Sequence, residues 1–183
     1  MPSVDRNREK FLLRSKTMVK ATKRTQRLWL QNLNVRLNGM WSLMILKPDI
    51  VAHPMLLKAT LRELLDAGIA IAGAAKVQLT REKAQQLYET HRDKFFFYRL
   101  VRHVTSGPIV AMRVQGDVRR ILGSSRLYPL PVDGGFSTIR QRCALSDVRN
   151  VAHASDSEAA ERELALFEPL PPSQALLDEL LRN

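Results

Sequence analysis

The chain has 183 residues, which suffices for one ordinary domain with an additional segment but not for two substantial domains. Its apolar fraction of 45% and charged fraction of 26% permit a packed core and argue against a globally disordered chain. A single cysteine, Cys143, excludes an internal disulfide and a cysteine-rich zinc site. No stretch reaches the roughly 18 apolar residues of a membrane-spanning helix, so we expect a soluble or at most peripheral protein with no membrane span.

Most of the positive charge lies near the N-terminus. Residues 1–39 contain ten Lys or Arg residues and two acidic residues, so they carry eight of the eleven net positive charges. Scattered apolar side chains complete a basic, acid-poor composition that is typical of a mitochondrial transit peptide. The alternative is a solvated basic arm that binds nucleic acid or an anionic membrane by counterion release. We therefore predict a basic arm over 1–39 and a mitochondrial location, with a cytoplasmic location as the alternative.

Strand and helix patterns alternate through the rest of the chain. Pro54 and Gly68, for example, bracket a helical pattern and suit the start and the stop of a helix. In chain order, we predict strands at 40–46, 69–79 and 109–114, helices at 54–67, 81–91, 94–104, 117–122 and 158–167, and a short terminal helix after Ser173. A fourth strand would lie within 139–152, where the periodicity is weak. This order predicts an α/β or α+β sandwich, and the ferredoxin-like arrangement is one of the few that fit.

Two proline-containing segments interrupt the alternation. The loop at 123–137 is rich in Pro, Gly and Ser, and loops longer than about 12–15 residues are usually functional or disordered. Three prolines follow the predicted helix at 158–167 and break the chain again. We therefore predict a folded domain over 40–168 and a Pro-rich C-terminal extension over 169–183, whose short helix could dock on the domain through its leucines.

The four histidines are candidates for chemistry. His91 and His103 lie at predicted helix ends, where a cation complements the helix dipole, and His53 lies in a turn. No acidic residue accompanies them at metal-ligand spacing, so we predict no protein-bound zinc and no metal ligands from the chain. His153 lies in a polar stretch ahead of a predicted helix N-terminus, a place that suits an anion. A histidine there could attack a phosphoryl group as a nucleophile.

The segment 150–156 resembles the active-site motif of nucleoside diphosphate kinases, Asn-x-x-His-Gly-Ser-Asp. Other signatures of that family occur in the same order: Lys47-Pro48-Asp49 after a strand, Tyr88 followed by Phe96-Phe97 and Leu100-Val101, Ser106-Gly107-Pro108-Ile109-Val110-Ala111-Met112, and Thr138-Ile139-Arg140. The resemblance covers about 40–168 and implies an α/β (α+β) fold, with a ferredoxin-like antiparallel sheet and helices packed on it. His53-Pro54, the lengthened loop and the segment 147–150 look most similar to the type-6 branch, whose members are linked to mitochondria.

This resemblance implies a ping-pong exchange, in which His153 takes the γ-phosphate of a nucleoside triphosphate and passes it to a nucleoside diphosphate. Catalysis would rest on positioning and on cations that stabilise the negative charge of the transition state. The implied roles are phosphate contact by Lys47, Arg119, Ser125 and Arg140, a place beside the histidine for Tyr88, base stacking by Phe96 next to Leu100, ribose contact by Asn150, and orientation of the His153 ring by Glu163 with Ser155. Mg²⁺ would arrive with the nucleotide, held by its phosphates and by water.

Several departures from the family pattern leave a second hypothesis open. Ala154 replaces the glycine after the histidine, Gln141-Arg142-Cys143 replaces Gly-Asp-Phe, and Asp147 replaces a small apolar residue. The chain is also shorter than the family between Gly116 and Arg119 and between Ser157 and Glu163, and longer between Gly123 and Arg140. Lost positioning would cost rate, so the alternative function is a weakly active or inactive kinase-like partner or scaffold protein in mitochondria.

The expected partners follow from these two hypotheses. Nucleoside tri- and diphosphates are expected for the enzyme. A second copy of the chain or a mitochondrial protein is a further candidate partner. The altered loop argues against the usual hexamer of the family, in which this loop contributes to oligomer contacts. Nucleic acid would bind only through the basic arm, in a manner sensitive to salt.

Overall fold

The structure is a computed structural model of the chain, and it describes residues 41–125 and 137–182. The basic arm at 1–39 and most of the loop at 123–137 lie outside these residues. The described residues belong to one compact unit, which includes the C-terminal extension. Within them, no helix is both long enough and apolar enough to cross a membrane.

The described residues contain four strands in one antiparallel sheet. They are β1 (Ser42–Leu46), β2 (Ala70–Val77), β3 (Ile109–Gln115) and β4 (Ala152–Ala154), in the spatial order β2-β3-β1-β4. This order confirms the ferredoxin-like arrangement. Because β1 pairs with both β3 and β4, the chain that leaves β1 starts directly beside β4.

Eight α-helices flank the sheet within the part of the chain that the structure describes. In chain order they are α1 (Pro48–Val51), α2 (Pro54–Asp66), α3 (Arg81–Leu87), α4 (Phe97–Val104), α5 (Val118–Leu122), α6 (Ile139–Cys143), α7 (Ala160–Ala165) and α8 (Gln174–Arg182). A 3₁₀ turn at Glu89–His91 follows α3. Thr80 caps α3, because its side chain accepts a hydrogen bond from the Lys83 N–H at 3.2 Å.

Helices cover both faces of the sheet, so the molecule has two apolar layers. Alternate residues of β1 point to opposite faces, as the strand period of two requires. Met44 and Leu46 pack in a core formed with α2 and α8, whereas Leu43 and Ile45 pack in a second core formed with α3, α4 and α7. Every residue from Leu43 to Leu46 is fully buried, which explains why this strand reads as a continuous apolar run.

The structure corrects several of the sequence-based predictions. Helices α1 and α6 have four and five residues, so they are too short to show helical periodicity and the sequence patterns do not predict them. The fourth strand is Ala152–Ala154 rather than a strand within 139–152. His153 therefore lies in the sheet, not ahead of a helix N-terminus, and α7 begins only at Ala160. Strand β4 has only three residues and is recognised by its pairing with β1, which the local sequence pattern does not reveal.

The C-terminal extension covers the outer edge of β2. Gly73 forms an antiparallel bridge with Pro172, and the Ser173 hydroxyl donates to a β2 carbonyl at 2.6 Å. Two leucines of α8, Leu177 and Leu180, are buried in the core beneath α2. The predicted docking of the terminal helix through its leucines is thus what the structure shows.

Candidate active site

His153 lies in the middle of β4, where the sheet holds it beside a buried glutamate. The strand pairing places Ile45 of β1 opposite His153. The His153 Nε2 atom lies 2.6 Å from Oε2 of Glu163, which α7 carries. An ionised carboxylate only accepts hydrogen bonds, so the ring proton is on Nε2 and the lone pair of the neutral ring is on Nδ1. This arrangement can present Nδ1 as a nucleophile.

Glu163 is itself held in place by its neighbours. The Ser155 hydroxyl donates to Oε2 at 2.6 Å, and Nη2 of Arg162 donates to Oε1 at 3.3 Å. Burial of Glu163 favours its protonated form, but hydrogen bonds from His153 and Ser155 outweigh burial and hold the pKa of the carboxyl below its usual value. Glu163 is therefore ionised at neutral pH and fixes both the tautomer and the orientation of the His153 ring.

A row of aromatic rings extends outward from His153. The Tyr88 ring meets His153 edge-on, with 5.5 Å between centroids, and stacks on His91 at 6.3 Å. His91 in turn meets the half-buried Phe96 ring at 5.7 Å. Burial, followed by the charge of Glu163, raises the pKa of the Tyr88 hydroxyl. That hydroxyl is buried and has no hydrogen-bond partner among the described residues, which is unusual for a buried polar group.

Lys47 lies at the end of β1, beside the segment that leads into β4. Its side chain is 3% exposed, and Nζ donates to Oδ1 of Asn150 at 2.5 Å and to the Val148 carbonyl at 3.1 Å. Burial lowers the pKa of the Lys47 ammonium to about 7, with Asp49 acting in the opposite direction. An ammonium has three donors, so one remains for an anionic ligand.

Arg140 joins three backbone segments around the site. Its guanidinium donates to the carbonyls of Gly123 at 2.6 Å, Asn150 at 3.1 Å and Ala152 at 2.6 Å. Burial, followed by the charge of Arg119, lowers the pKa of Arg140 to about 10, so the group stays cationic at neutral pH. The three bonds use three of five donors and fix the guanidinium beside the strand that carries the histidine.

A family model described as Nucleoside diphosphate kinase matches residues 41–170, which is most of the chain. This chain belongs to the nucleoside diphosphate kinase family. The family predicted from the sequence signatures is thus confirmed, and the matched range ends at the start of the C-terminal extension.

Relatives named nucleoside diphosphate kinase span the same part of the chain. One from Saccharolobus solfataricus is 40% identical over 129 residues, which cover 67% of this chain and 90% of the relative. One from Clostridium perfringens is 38% identical over 134 residues, covering 70% and 90%. Two solved structures are also similar. A halophilic nucleoside diphosphate kinase from Halobacterium salinarum in complex with CDP has a TM-score of 0.64 and 30% identity, and the match covers 76% of this chain and 99% of that one. The nucleoside diphosphate kinase from Aquifex aeolicus has a TM-score of 0.59 and 31% identity, and the match covers 69% of this chain and 93% of that one.

Not all of the predicted nucleoside diphosphate kinase site residues meet around His153. Arg119 is exposed and forms an ion pair with Asp156. Ser125 is exposed, and its backbone carbonyl, rather than its hydroxyl, lies 3.5 Å from Nδ2 of Asn150. Leu100 is buried in the second core with Phe97, so its side chain fills the interior rather than an open surface. Leu100 thus stands apart from the cluster of His153, Glu163, Ser155, Tyr88, Lys47, Asn150 and Arg140. Arg119 and Ser125 lie at the margin of that cluster, since the charge of Arg119 acts on Arg140 and the Ser125 carbonyl contacts Asn150.

The position of backbone strain differs from the one that the family motif suggests. Ala154, which replaces a glycine of the motif, lies in β4 with no positive φ angle. The strained residue is instead Val151, with φ of 79°, a value that a β-branched residue rarely adopts. Alanine at 154 therefore carries no conformational penalty of the kind expected for a left-handed backbone.

Sequence reasoning missed a buried hydrogen-bonded pair behind the site. His103 Nε2 lies 2.9 Å from Oδ1 of Asp49, and the two side chains are 9% and 4% exposed. The sequence explains His103 by a place at a helix end, which it does occupy in α4. The two residues are 54 positions apart, so no local signal in the sequence joins them.

No group of three or more His, Cys, Asp or Glu side chains among the described residues could hold a metal ion. The donors around His153 are instead the cations Lys47 and Arg140 and the hydroxyl of Tyr88. Such donors suit the oxygens of a phosphate, not a cation.

Replacement of Glu163 by glutamine is expected to lower kcat by about 10-fold to 100-fold, a typical effect of removing the partner that orients a functional histidine. Glutamine has about the same volume as glutamate. Its neutral amide both donates and accepts hydrogen bonds, so it no longer fixes the tautomer of the His153 ring as the ionised carboxylate does. The loss should be measured as the steady-state rate of phosphate exchange between ATP and a nucleoside diphosphate. Glu161→Gln, an exposed glutamate on the same helix, is the matched control. Equal rates in the two variants would contradict the orienting role of Glu163.

Proposed function

We propose that this member of the nucleoside diphosphate kinase family transfers phosphate through a phosphohistidine at His153. In the first half-reaction, Nδ1 attacks the γ-phosphorus of a nucleoside triphosphate, the bond to the β–γ bridging oxygen breaks, and the nucleoside diphosphate leaves. In the second, a terminal oxygen of another nucleoside diphosphate attacks the phosphohistidine and regenerates His153. The single observation that carries this proposal is the 2.6 Å bond from Nε2 to the buried Glu163, which directs Nδ1 toward the reaction.

The charged residues near His153 have roles that suit phosphoryl transfer. The transition state spreads negative charge over three oxygens, and fixed cations stabilise it. We assign this role to Lys47 and Arg140, whose positions are set by buried hydrogen bonds, and we assign the Tyr88 hydroxyl to a phosphate or histidine contact. Arg119 would join them by leaving its exposed pairing with Asp156 when phosphate binds.

The nucleotide would lie along the row of rings that leads from Tyr88 to Phe96. Phe96 is half-buried, so one face of its ring can stack on a base, with Leu100 supporting it from the core. Asn150 and Ser125 would contact the sugar and phosphates. The Halobacterium salinarum relative was solved with CDP, which agrees with a nucleoside diphosphate as the acceptor here. Mg²⁺ would come bound to the nucleotide phosphates and to water, since the described residues supply no cluster of ligands for it.

The test is single-turnover labelling of the purified full chain with γ-³²P-ATP and Mg²⁺. A phosphohistidine gives a label that is labile in acid and stable in base, and added GDP should remove it. Mass spectrometry of the labelled peptide should place the phosphate on His153. An acid-stable label, or no label while the protein still binds nucleotide, would contradict the proposal.

The alternative, an inactive kinase-like partner or scaffold, is not favoured. The relatives that match 90% of their own length are named as nucleoside diphosphate kinases. Two of the departures that motivated the alternative, Ala154 and the shorter segment before Glu163, are compatible with the bond between His153 and Glu163. Assembly into a homo-oligomer or with a mitochondrial protein stays a proposal, to be tested by light scattering of the purified chain and by pull-down from mitochondria.

We propose further that the chain belongs to the type-6 branch and that residues 1–39 direct it to mitochondria. The support lies in the sequence: the acid-poor arm, His53-Pro54 and the segment 147–150. If the arm is a transit peptide, the protein purified from its own cells should begin well after Met1. An intact N-terminus would contradict cleavage, and binding to DNA that depends on the arm and weakens with salt would support the arm as a nucleic-acid contact instead.

A further inference from the structure

Val151 holds the backbone of the site in an unfavourable conformation. It is the only non-glycine residue with positive φ in the described part of the chain, and its side chain is fully buried. Positive φ is energetically unfavourable for a β-branched residue, and such a conformation persists only where the surrounding structure holds it. Val151 stands between Asn150, which binds Lys47, and the strand residue Ala152, which leads to His153.

Two hydrogen bonds hold the Val151 peptide groups in place, and both come from the segment that follows β1. The Val151 N–H donates to Oδ2 of Asp49 at 3.0 Å, and the Val151 carbonyl accepts from the Lys47 N–H at 2.9 Å. The second bond is a backbone contact that any residue could make. The first depends on a carboxylate and on where that carboxylate is fixed.

His103 fixes the carboxylate of Asp49 from behind. Its Nε2 lies 2.9 Å from Oδ1, so each oxygen of Asp49 has its own donor. Burial of Asp49 opposes its ionisation, but the hydrogen bonds from His103 and from Val151 outweigh burial and keep the pKa of the carboxyl below its usual value. His103 belongs to α4, so this helix is connected to the strained residue through one buried hydrogen-bonded pair, His103 and Asp49.

We propose that His103 is a positioning residue of this enzyme, which acts through Asp49 to keep Val151 in its left-handed conformation and so sets the place of His153 and Asn150. Without the His103 bond, Asp49 can turn away and Val151 relaxes to negative φ. The chain on either side of Val151 then shifts. His153 moves with it, away from the position in which its attack on phosphorus is productive. This inference rests on the proposed phosphohistidine chemistry for its kinetic consequence.

The test compares variants of His103 in rapid-quench phosphorylation by γ-³²P-ATP. His103→Leu removes the donor, His103→Gln retains an N–H at about the same reach, and Arg102→Leu is the matched control on the exposed side of α4. We expect His103→Leu to reach full labelling amplitude with a rate constant lowered by about 10-fold to 100-fold. His103→Gln should recover most of the rate, and Arg102→Leu should match the wild type.

A second comparison separates positioning from simple stabilisation. Glycine adopts positive φ without strain, so in the Val151→Gly background His103→Leu should cost much less rate than in the wild type. A loss of labelling amplitude at an unchanged rate constant, or an equal loss of rate in both backgrounds, would overturn the proposal. If His103→Leu does not fold, His103→Asn gives the same comparison, because its amide is too short to reach Asp49.

NMR distinguishes failure of this inference from failure of the proposed function. In ¹⁵N-labelled protein, the Val151 amide and the His153 ring signals should shift in His103→Leu and stay in place in Arg102→Leu. Unchanged signals would overturn the positioning role whether or not the enzyme is active. A wild type that takes up no phosphate would contradict the phosphohistidine mechanism, while the NMR comparison would still decide the role of His103.

Discussion

Replacement of His153 by alanine is expected to abolish phosphate exchange, with a loss in kcat on the order of 10⁴-fold or more, as removal of a covalent nucleophile typically causes. The reason is that Glu163, Ser155 and Tyr88 are all arranged around this one ring. The measurement is the rate of exchange together with the amount of acid-labile label.

The control for this variant is His53→Ala, because His53 is exposed and has no place in the candidate site. Binding of a nucleoside diphosphate, followed by calorimetry, should survive in His153→Ala, since the cations and rings remain. Exchange above one hundredth of the wild-type rate would show that another group carries the phosphate.

Replacement of Lys47 by methionine is expected to lower kcat by roughly 10²-fold to 10³-fold, the usual cost of removing one donor that stabilises transition-state charge. Methionine fills a similar volume in this buried place but supplies no charge and no donor to Asn150. Lys76→Met, at an exposed position of β2, is the matched control and should leave kcat unchanged.

Lys47 also predicts how the rate depends on pH. Since burial lowers its pKa to about 7, the free enzyme loses this cation as pH rises through 7, and kcat/KM should fall on the alkaline side with a midpoint near that value. A bound triphosphate favours the ammonium, so the corresponding fall in kcat should occur at higher pH. Lys47→Met should lack this alkaline fall. A wild-type kcat/KM that stays flat from pH 6 to pH 9 would contradict the assignment.

Sequence alone could predict much of this site because the chemistry is concentrated in short segments. His153, Asn150 and Ser155 lie within one motif, and Lys47 follows an apolar strand directly. The structure brings these residues together because β1 and β4 are neighbours, which is a property of the sheet order. The family pattern supplied that order, whereas local periodicity did not reveal β4.

The parts that sequence could not predict depend on contacts between distant segments. Asp49 and His103 are joined across the fold, and the strain at Val151 follows from hydrogen bonds to Lys47 and Asp49 rather than from its residue type. Helix α6 is a different case, because Thr138 and Gln141 have the spacing of a capping box, and the Thr138 N–H does donate to the Gln141 side chain at 2.8 Å. The start of this helix can therefore be predicted from the spacing of the two residues.

The pairing of Pro172 with Gly73 has a consequence for how this molecule meets its neighbours. An outer strand with free N–H and C=O groups is a template on which another chain can extend the sheet. Here the chain's own C-terminal segment occupies that position on β2, and α8 seals it with buried leucines. A second copy can therefore pair with this middle part of β2 only after the tail leaves it. A truncation after Glu168 would expose the N–H and C=O groups at this edge of β2, and another chain could then pair with them.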